Sequence, residues 1–221
     1  MLMIPALVMF IGFGVLLGIV AARRPNSGAD LVLSGVALFG WSVPVFWLGQ
    51  LLIIATALKL GWFPTQGMLS LRRSTEGIGR IIDILWHLVL PATALGMRFL
   101  ALATRMTRSS MMQVLRLDYV TTARAKGLPE PVVLSRHALP NALLPVITIV
   151  GMNVGTMLSG SVLVEVVFAW PGMGRLLYDG VLARDYPLII GITLTVSIAV
   201  VLVNLITDIV YAIVDPRIRY T

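Results

Sequence analysis

Four stretches of this chain carry no charged residue and are long enough to cross a lipid bilayer: residues 1–22, 31–58, 137–164 and 186–207. A spanning helix needs about 20 consecutive apolar residues, because the hydrocarbon layer is about 30 Å thick and an α-helix rises 1.5 Å per residue. A fifth stretch, about 84–104, is interrupted by His87 and Arg98 but keeps the same length. In lipid, every backbone N–H and C=O must be satisfied within the segment, which leaves helices as the spanning element for runs of this kind. The sequence predicts an all-α, multi-pass transmembrane helical bundle of about five helices, one membrane domain over residues 1–221, with no separate soluble domain.

Composition agrees. Of 221 residues, 58% are hydrophobic and only 12% charged, about half the charged fraction of an ordinary soluble domain. Mean hydropathy is +0.94. The partner implied first is membrane lipid. The net charge of +7 reads as basic residues gathered in cytoplasmic loops rather than as a nucleic-acid surface. There is no cysteine, which removes disulfides, thiolate metal sites and cysteine nucleophiles. Residues 1–22 lack the basic start and short core of a signal peptide.

Little catalytic chemistry is available. No GxxxxGK[ST] phosphate loop and no HExxH occur, and the two histidines, His87 and His137, stand fifty residues apart. The reading is a non-enzyme, with no cofactor and no metal in this chain. Midplane acids, which a proton-coupled carrier would need, are missing. Arg98, about six residues from the inner end of its span, and Asp208, one turn after Asn204, are placed to snorkel. Glu165 marks the outer end of its helix. Pro44, Pro91 and Pro145 are candidate kinks, and Gly151 and Gly155 form a GxxxG, with Gly160 beyond, for close helix packing.

The loops give an orientation. The connection from Arg105 to Arg136 holds six basic and two acidic residues. Placing it inside also places the first loop (Arg23, Arg24) and the C-terminal tail inside, so ten lysines and arginines lie on that side against six in the second and fourth loops. The second loop, with Arg72, Arg73, Glu76 and Arg80, and the fourth then face outward, as does Met1.

The basic loop holds more than charge. "RSSMMQVLRLDYVTTARAKG" reads as one helix, with Met112, Leu115, Tyr119 and Ala123 on one face. Gly127 ends it in a left-handed conformation. Pro129 and Pro131 suit the first turn of a second short helix, and "VVLSRHA" leads through Leu139-Pro140 back into the membrane. Two short helices bent at a glycine on the membrane surface form a docking shape.

This segment resembles the EAA loop of ABC-transporter membrane subunits, with the pattern E-A-A, three residues, G, nine residues, I, one residue, L-P. Gly127 takes the glycine position and Leu139-Pro140 fall at the required distance. Thr121, Thr122 and Ala123 occupy the E-A-A positions and His137 the isoleucine position, departures that match the "TARAKG…RHALPNALLP" variant of dipeptide/oligopeptide-type permeases. "SVPVFWLG", "LGWFPTQG", "HLVLPA", "EVVFAWPGMGRLL", "ARDYPL" and "DPRIRY" are also similar to that family's B-type subunit.

The resemblance implies a permease subunit of an ATP-driven importer, forming half of a translocation path for peptides or similar small solutes. It implies a second homologous permease subunit and two cytoplasmic ATPases that carry ATP and Mg²⁺. An extracytoplasmic solute-binding protein completes the system. Within a coupling loop at about 105–140, the ATPase-docking residues would be Thr121, Thr122, Ala123, Arg124, Ala125, Lys126, Gly127, His137, Leu139 and Pro140. Glu165, Trp170, Pro171 and Gly172 become candidates for an outer gate or binding-protein contact. The same family serves glutathione and nickel chelates. Its members usually have six helices, and this chain begins at what resembles their second. The competing expectation is a stand-alone secondary transporter or channel.

Overall fold

The computed structural model describes residues 2–70 and 76–214. Arg72 and Arg73 of the second loop and the tail motif "DPRIRY" lie outside the described residues, as do the side-chain surroundings of Gly151, Gly155, Gly160 and Asp208. The described residues are helical without a strand. The order is α1 (Met3–Arg23), α2 (Gly28–Ser42), α3 (Val45–Leu52), α4 (Ile78–Val114), α5 (Asp118–Ala125), α6 (Glu130–Val132), α7 (Leu139–Val167), α8 (Met173–Ala183) and α9 (Tyr186–Val214). Four helical segments are long and apolar enough to cross a membrane, and a fifth if α2 and α3 with its extension form one broken span. The expected all-α bundle of about five spans is what is found.

The boundaries differ from expectation in three places, each for a local reason. The apolar run 31–58 is not one helix, because Pro44 (φ −59°, ψ 133°) interrupts it and starts α3. A proline offers no N–H to the preceding turn and pushes the residue before it out of the helical region. Pro91 and Pro145, by contrast, sit inside α4 and α7 without ending them. α4 continues ten residues past the expected end at Thr104, so Arg98 lies sixteen residues from its end rather than six. Arginines at 105 and 108 oppose membrane burial but favour helix. Finally, α5 is not continuous with α4. The chain turns at Leu115–Leu117, where Leu117 is extended (ψ 147°). The face through Met112, Leu115, Tyr119 and Ala123 is therefore broken, and α5 buries Val120 and Ala123 while Tyr119 is exposed.

The chain divides into two compact units. One comprises Met1–Met9, Val43–Met97 and Val154–Val203, the other Phe10–Ser42, Arg98–Asn153 and Asn204–Thr221. In the first, the loop after α3 is pinned by its own polar groups. The Gly67 N–H donates to the Phe168 carbonyl at 2.8 Å. Ser70 donates its N–H and hydroxyl to the two Asp83 oxygens, each at 2.7 Å. Gly49 lets α3 approach Phe168, where a methyl group would meet the ring at 3.0 Å.

In the second unit, α1 packs on α4 through Gly14 and Gly18, a GxxxG that sequence reading passed over. A methyl at Gly14 would come within 2.7 Å of the Leu100 carbonyl, and one at Gly18 within 2.7 Å of the Thr104 carbonyl. Small residues four apart let helix backbones meet this closely, and dispersion rather than hydrophobicity then holds them in lipid.

Candidate functional site

The loop between α4 and α7 is built on a small apolar core. Met111 and Val114 from the end of α4, Val120 and Ala123 from α5, and Val133, Leu134, Ala138 and Ala142 beyond it are all buried together with Ala22 of α1. Val120 and Val133 are fully enclosed, and burying a valine is worth about 2 kcal/mol. α5 is thus fastened by two residues three apart on its inner face, and everything between them points outward. Thr121, Thr122, Arg124, Ala125, Lys126 and Gly127 are exposed, whereas Ala123 is not.

The bend is set by backbone geometry. Lys126 and Gly127 donate N–H groups to the carbonyls of Thr122 (3.1 Å) and Arg124 (2.9 Å). Gly127 has φ +78°, the left-handed region that costs an L-residue roughly 1–2 kcal/mol. Pro129 (φ −65°, ψ 141°) then caps α6, and Pro131 lies in its first turn, as expected. No break follows. α6 passes through a wide, π-helical turn, Val133–Ala138, directly into α7. Along this stretch His137 and Leu139 are half-buried and Pro140 is exposed.

Polar contacts brace the same shape. Arg124 makes a forked contact with Glu130 across the bend, Nη2 to Oε1 at 2.8 Å and Nε to Oε2 at 3.1 Å. The carboxylate beside it raises the Arg124 pKa above an already high value, so this charge does not titrate. With side chains 40% and 51% exposed, the pair is worth at most about 1 kcal/mol. Asn141 donates to the Tyr119 hydroxyl at 2.8 Å. Beside the bend, Arg23, Arg24 and Ser27 from the first loop line a cleft of about 510 Å³ with Arg124 and Glu130.

Beneath the loop lies a pair that sequence reasoning missed. Asp30, only 1% exposed, accepts from Arg108 Nη2 at 2.7 Å and Nε, from the Asn26 N–H at 2.8 Å and from the Ser34 hydroxyl at 3.3 Å. Its own N–H reaches the Ser27 hydroxyl at 3.3 Å. "SGAD", residues 27–30, is a capping-box spacing with aspartate in the third helical position, and that was the available signal. The pairing with Arg108, 78 residues away, leaves no local trace.

The second group of candidates stands at the other end of α7. Glu165 and Trp170 are buried and Pro171 is exposed. The Glu165 carboxylate accepts the Arg175 N–H at 3.0 Å and lies against Gly172, where any side chain would overlap it. A carboxylate at the start of α8 suits the unsatisfied N–H groups and positive end of that helix. Trp170 is tied back by its N–H to the Glu165 carbonyl at 2.8 Å. Contact with a protein approaching this turn would fall to Pro171 and Gly172, with Glu165 acting from behind. Among the described residues, no cluster of three metal-binding side chains occurs.

Comparison with known proteins follows this geometry. Residues 14–220 match the family described as binding-protein-dependent transport system inner membrane component. The oligopeptide transport system permease protein AppB of Bacillus subtilis is 44% identical over 220 residues, which is 100% of this chain and 68% of that protein. The di/tripeptide transport system permease protein DppB of Pseudomonas aeruginosa is 45% identical over 230 residues, 97% of this chain and 68% of that protein. Among solved structures, an inward-facing conformation of the MetNI methionine ABC transporter superposes with a TM-score of 0.70 at 17% identity. The match covers 97% of this chain and 93% of that one. An amino acid ABC transporter crystallised with histidines gives 0.63 at 16%, covering 94% and 88%. At such identities the likeness is one of fold.

Proposed function

This chain belongs to the binding-protein-dependent transport system inner membrane component family, and from that premise we propose that it forms half of the translocation path of an ATP-driven importer for peptides. It is a multi-pass membrane subunit. The peptide substrate class is supported by relatives named as oligopeptide and di/tripeptide permeases at 44% and 45% identity. Glutathione and nickel chelates are neighbouring classes that no observation here favours. The fully anchored, outward-presented docking loop also distinguishes this reading from a stand-alone carrier or channel, which has no use for one.

In this reading the loop and the C-terminus face the cytoplasm. Thr121, Thr122, Arg124, Ala125 and Lys126 present the contact surface to an ATPase, with Gly127 as the corner behind them. Ala123 fastens that surface to the core. His137, Leu139 and Pro140 form the return into α7. ATP and Mg²⁺ belong to two partner ATPases, a second homologous permease closes the path, and a solute-binding protein delivers cargo on the far side near Pro171 and Gly172.

The observation that carries the proposal is the fixed bend at Gly127 between two apolar anchors. The test is a reconstituted complex of both permease subunits, the ATPases and the binding protein, in vesicles. Gly127→Val forces a β-branched residue into positive φ, while nothing lies within 4 Å of the new Cβ. The complex should assemble, hydrolyse ATP at the basal rate and lose both the stimulation by loaded binding protein and solute uptake. Unchanged stimulation and uptake would remove Gly127 from the docking role.

A further inference from the structure

Between residues 90 and 104 of α4, every residue is buried or half-buried except one, and that one is Arg98. It stands seven residues before Arg105, about 10 Å along the helix, inside the apolar stretch 84–104. A guanidinium presented to lipid at such depth is costly. Snorkelling past Arg105 does not relieve this. The Cα–Cβ bond of a helical residue leans toward the helix N-terminus, and on α4 that is away from Arg105 and its boundary.

The side chain is instead laid on an aromatic ring. The Arg98 guanidinium carbon is 4.6 Å from the centroid of the half-buried Trp41 ring. The ring face attracts the cation, and a guanidinium held this way can still donate from the N–H groups that point away from the ring. Among the described residues no carboxylate forms an ion pair with it. A cation that pairs with no described carboxylate, set beside an indole in an apolar zone, is arranged to receive an anion. The planar fork matches a carboxylate through two parallel N–H···O bonds.

We propose that Arg98, held by Trp41, faces the translocation path and binds the C-terminal carboxylate of the passing peptide. The inference rests on the peptide-import reading and deepens it. The carboxylate is the one anion that every unmodified peptide carries whatever its sequence, so a single arginine there serves substrates with any side chains. In a wet path such an exposed pair is weak, worth about 1 kcal/mol, and weak binding is what release on the far side requires.

The experiment uses the reconstituted complex and two cargoes, a dipeptide and its C-terminal amide. Loading of the isolated binding protein is checked by calorimetry, and uptake is measured with each cargo at saturating loaded binding protein. Discrimination by the binding protein is thereby separated from discrimination by the path. The wild type should move the free acid about fivefold faster than the amide, the ratio that 1 kcal/mol gives. Arg98→Gln should bring the acid down to the amide rate and leave the amide alone. Trp41→Leu, which keeps the charge but releases it from the ring, should lose part of the ratio. Equal loss for both cargoes in Arg98→Gln would mean pairing with the second subunit or a structural role, and would overturn the proposal. An unchanged ratio in both variants would overturn it too. A wild-type complex that takes up neither cargo with ATP present would instead overturn the peptide reading, and this inference with it.

Discussion

Asp30→Ala should be the most damaging single change on the cytoplasm-facing side proposed for the loop, and its cost can be worked from the contacts. Asp30 is 1% exposed and the Arg108 side chain 26%. Truncation leaves a guanidinium mostly out of water with no counter-charge, and leaves the Asn26 N–H without its acceptor. Breaking a buried pair from one side costs about 3–5 kcal/mol. Partial exposure of Arg108 puts this site near the lower figure, about 3 kcal/mol. In a chain of 221 residues each kcal/mol moves the midpoint by roughly 2–4 °C, so the melt should fall by about 6–12 °C. Replacing both partners, Asp30→Ala with Arg108→Met, removes the stranded charge and should recover most of the loss, because a buried pair is close to neutral against apolar residues. The double-mutant cycle should return a coupling of about 2 kcal/mol. Tryptophan fluorescence melts of the detergent-solubilised complex measure both quantities. A single-variant shift below about 2 °C, or a double variant no better than the sum of the singles, would refute the claim that this pair is desolvated and interdependent.

Two further predictions concern close approach. Gly18→Ala places a methyl 2.7 Å from the Thr104 carbonyl and should cost about 1–3 kcal/mol by overpacking. Gly12→Ala on the same helix meets nothing within 4 Å and should be neutral in the same melt. Gly172→Ala drives a methyl into the Glu165 carboxylate and should open the turn before α8. Limited proteolysis over residues 169–175 would detect this, and Glu165→Gln, which keeps an acceptor for the Arg175 N–H, should be cut more slowly.

What could be read from the sequence is what local physics decides. Span length is such a property, and so is the bend at Gly127, because positive φ, a capping proline and a proline in the first turn each act within one or two residues. The break at Pro44 is equally local, but the continuous apolar run around it masks it in hydropathy. What escaped was long-range. Gly14–Gly18 and Gly151–Gly155 share one spacing, and only the identity of the facing helix shows that Leu100 and Thr104 lie against the first pair. Nothing near Asp30 points to Arg108. The charges at 105 and 108 end only the apolar part of α4, so hydropathy places Arg98 nearer a helix end than it lies.

The same distinction bears on the basic loop. Its six lysines and arginines act together in setting orientation, yet they do different work. Arg108 is committed to Asp30 and Arg124 to Glu130, leaving Arg105, Arg116, Lys126 and Arg136 exposed. In the docking role proposed for it, the surface needs rigidity more than charge. Val120 and Ala123 join α5 to Met111 and Val114 at the end of α4, to Val133, Leu134 and Ala138 in the turn before α7 and to Ala142 within it, so a displacement of α5 reaches both long helices through packed side chains. Gly127 serves that end as a fixed corner, held by two backbone hydrogen bonds and flanked by Pro129. If it were a hinge, a push on Thr121 or Lys126 would be absorbed at the bend. The glycine is needed for the sign of φ, and the neighbours remove the freedom that glycine would otherwise bring.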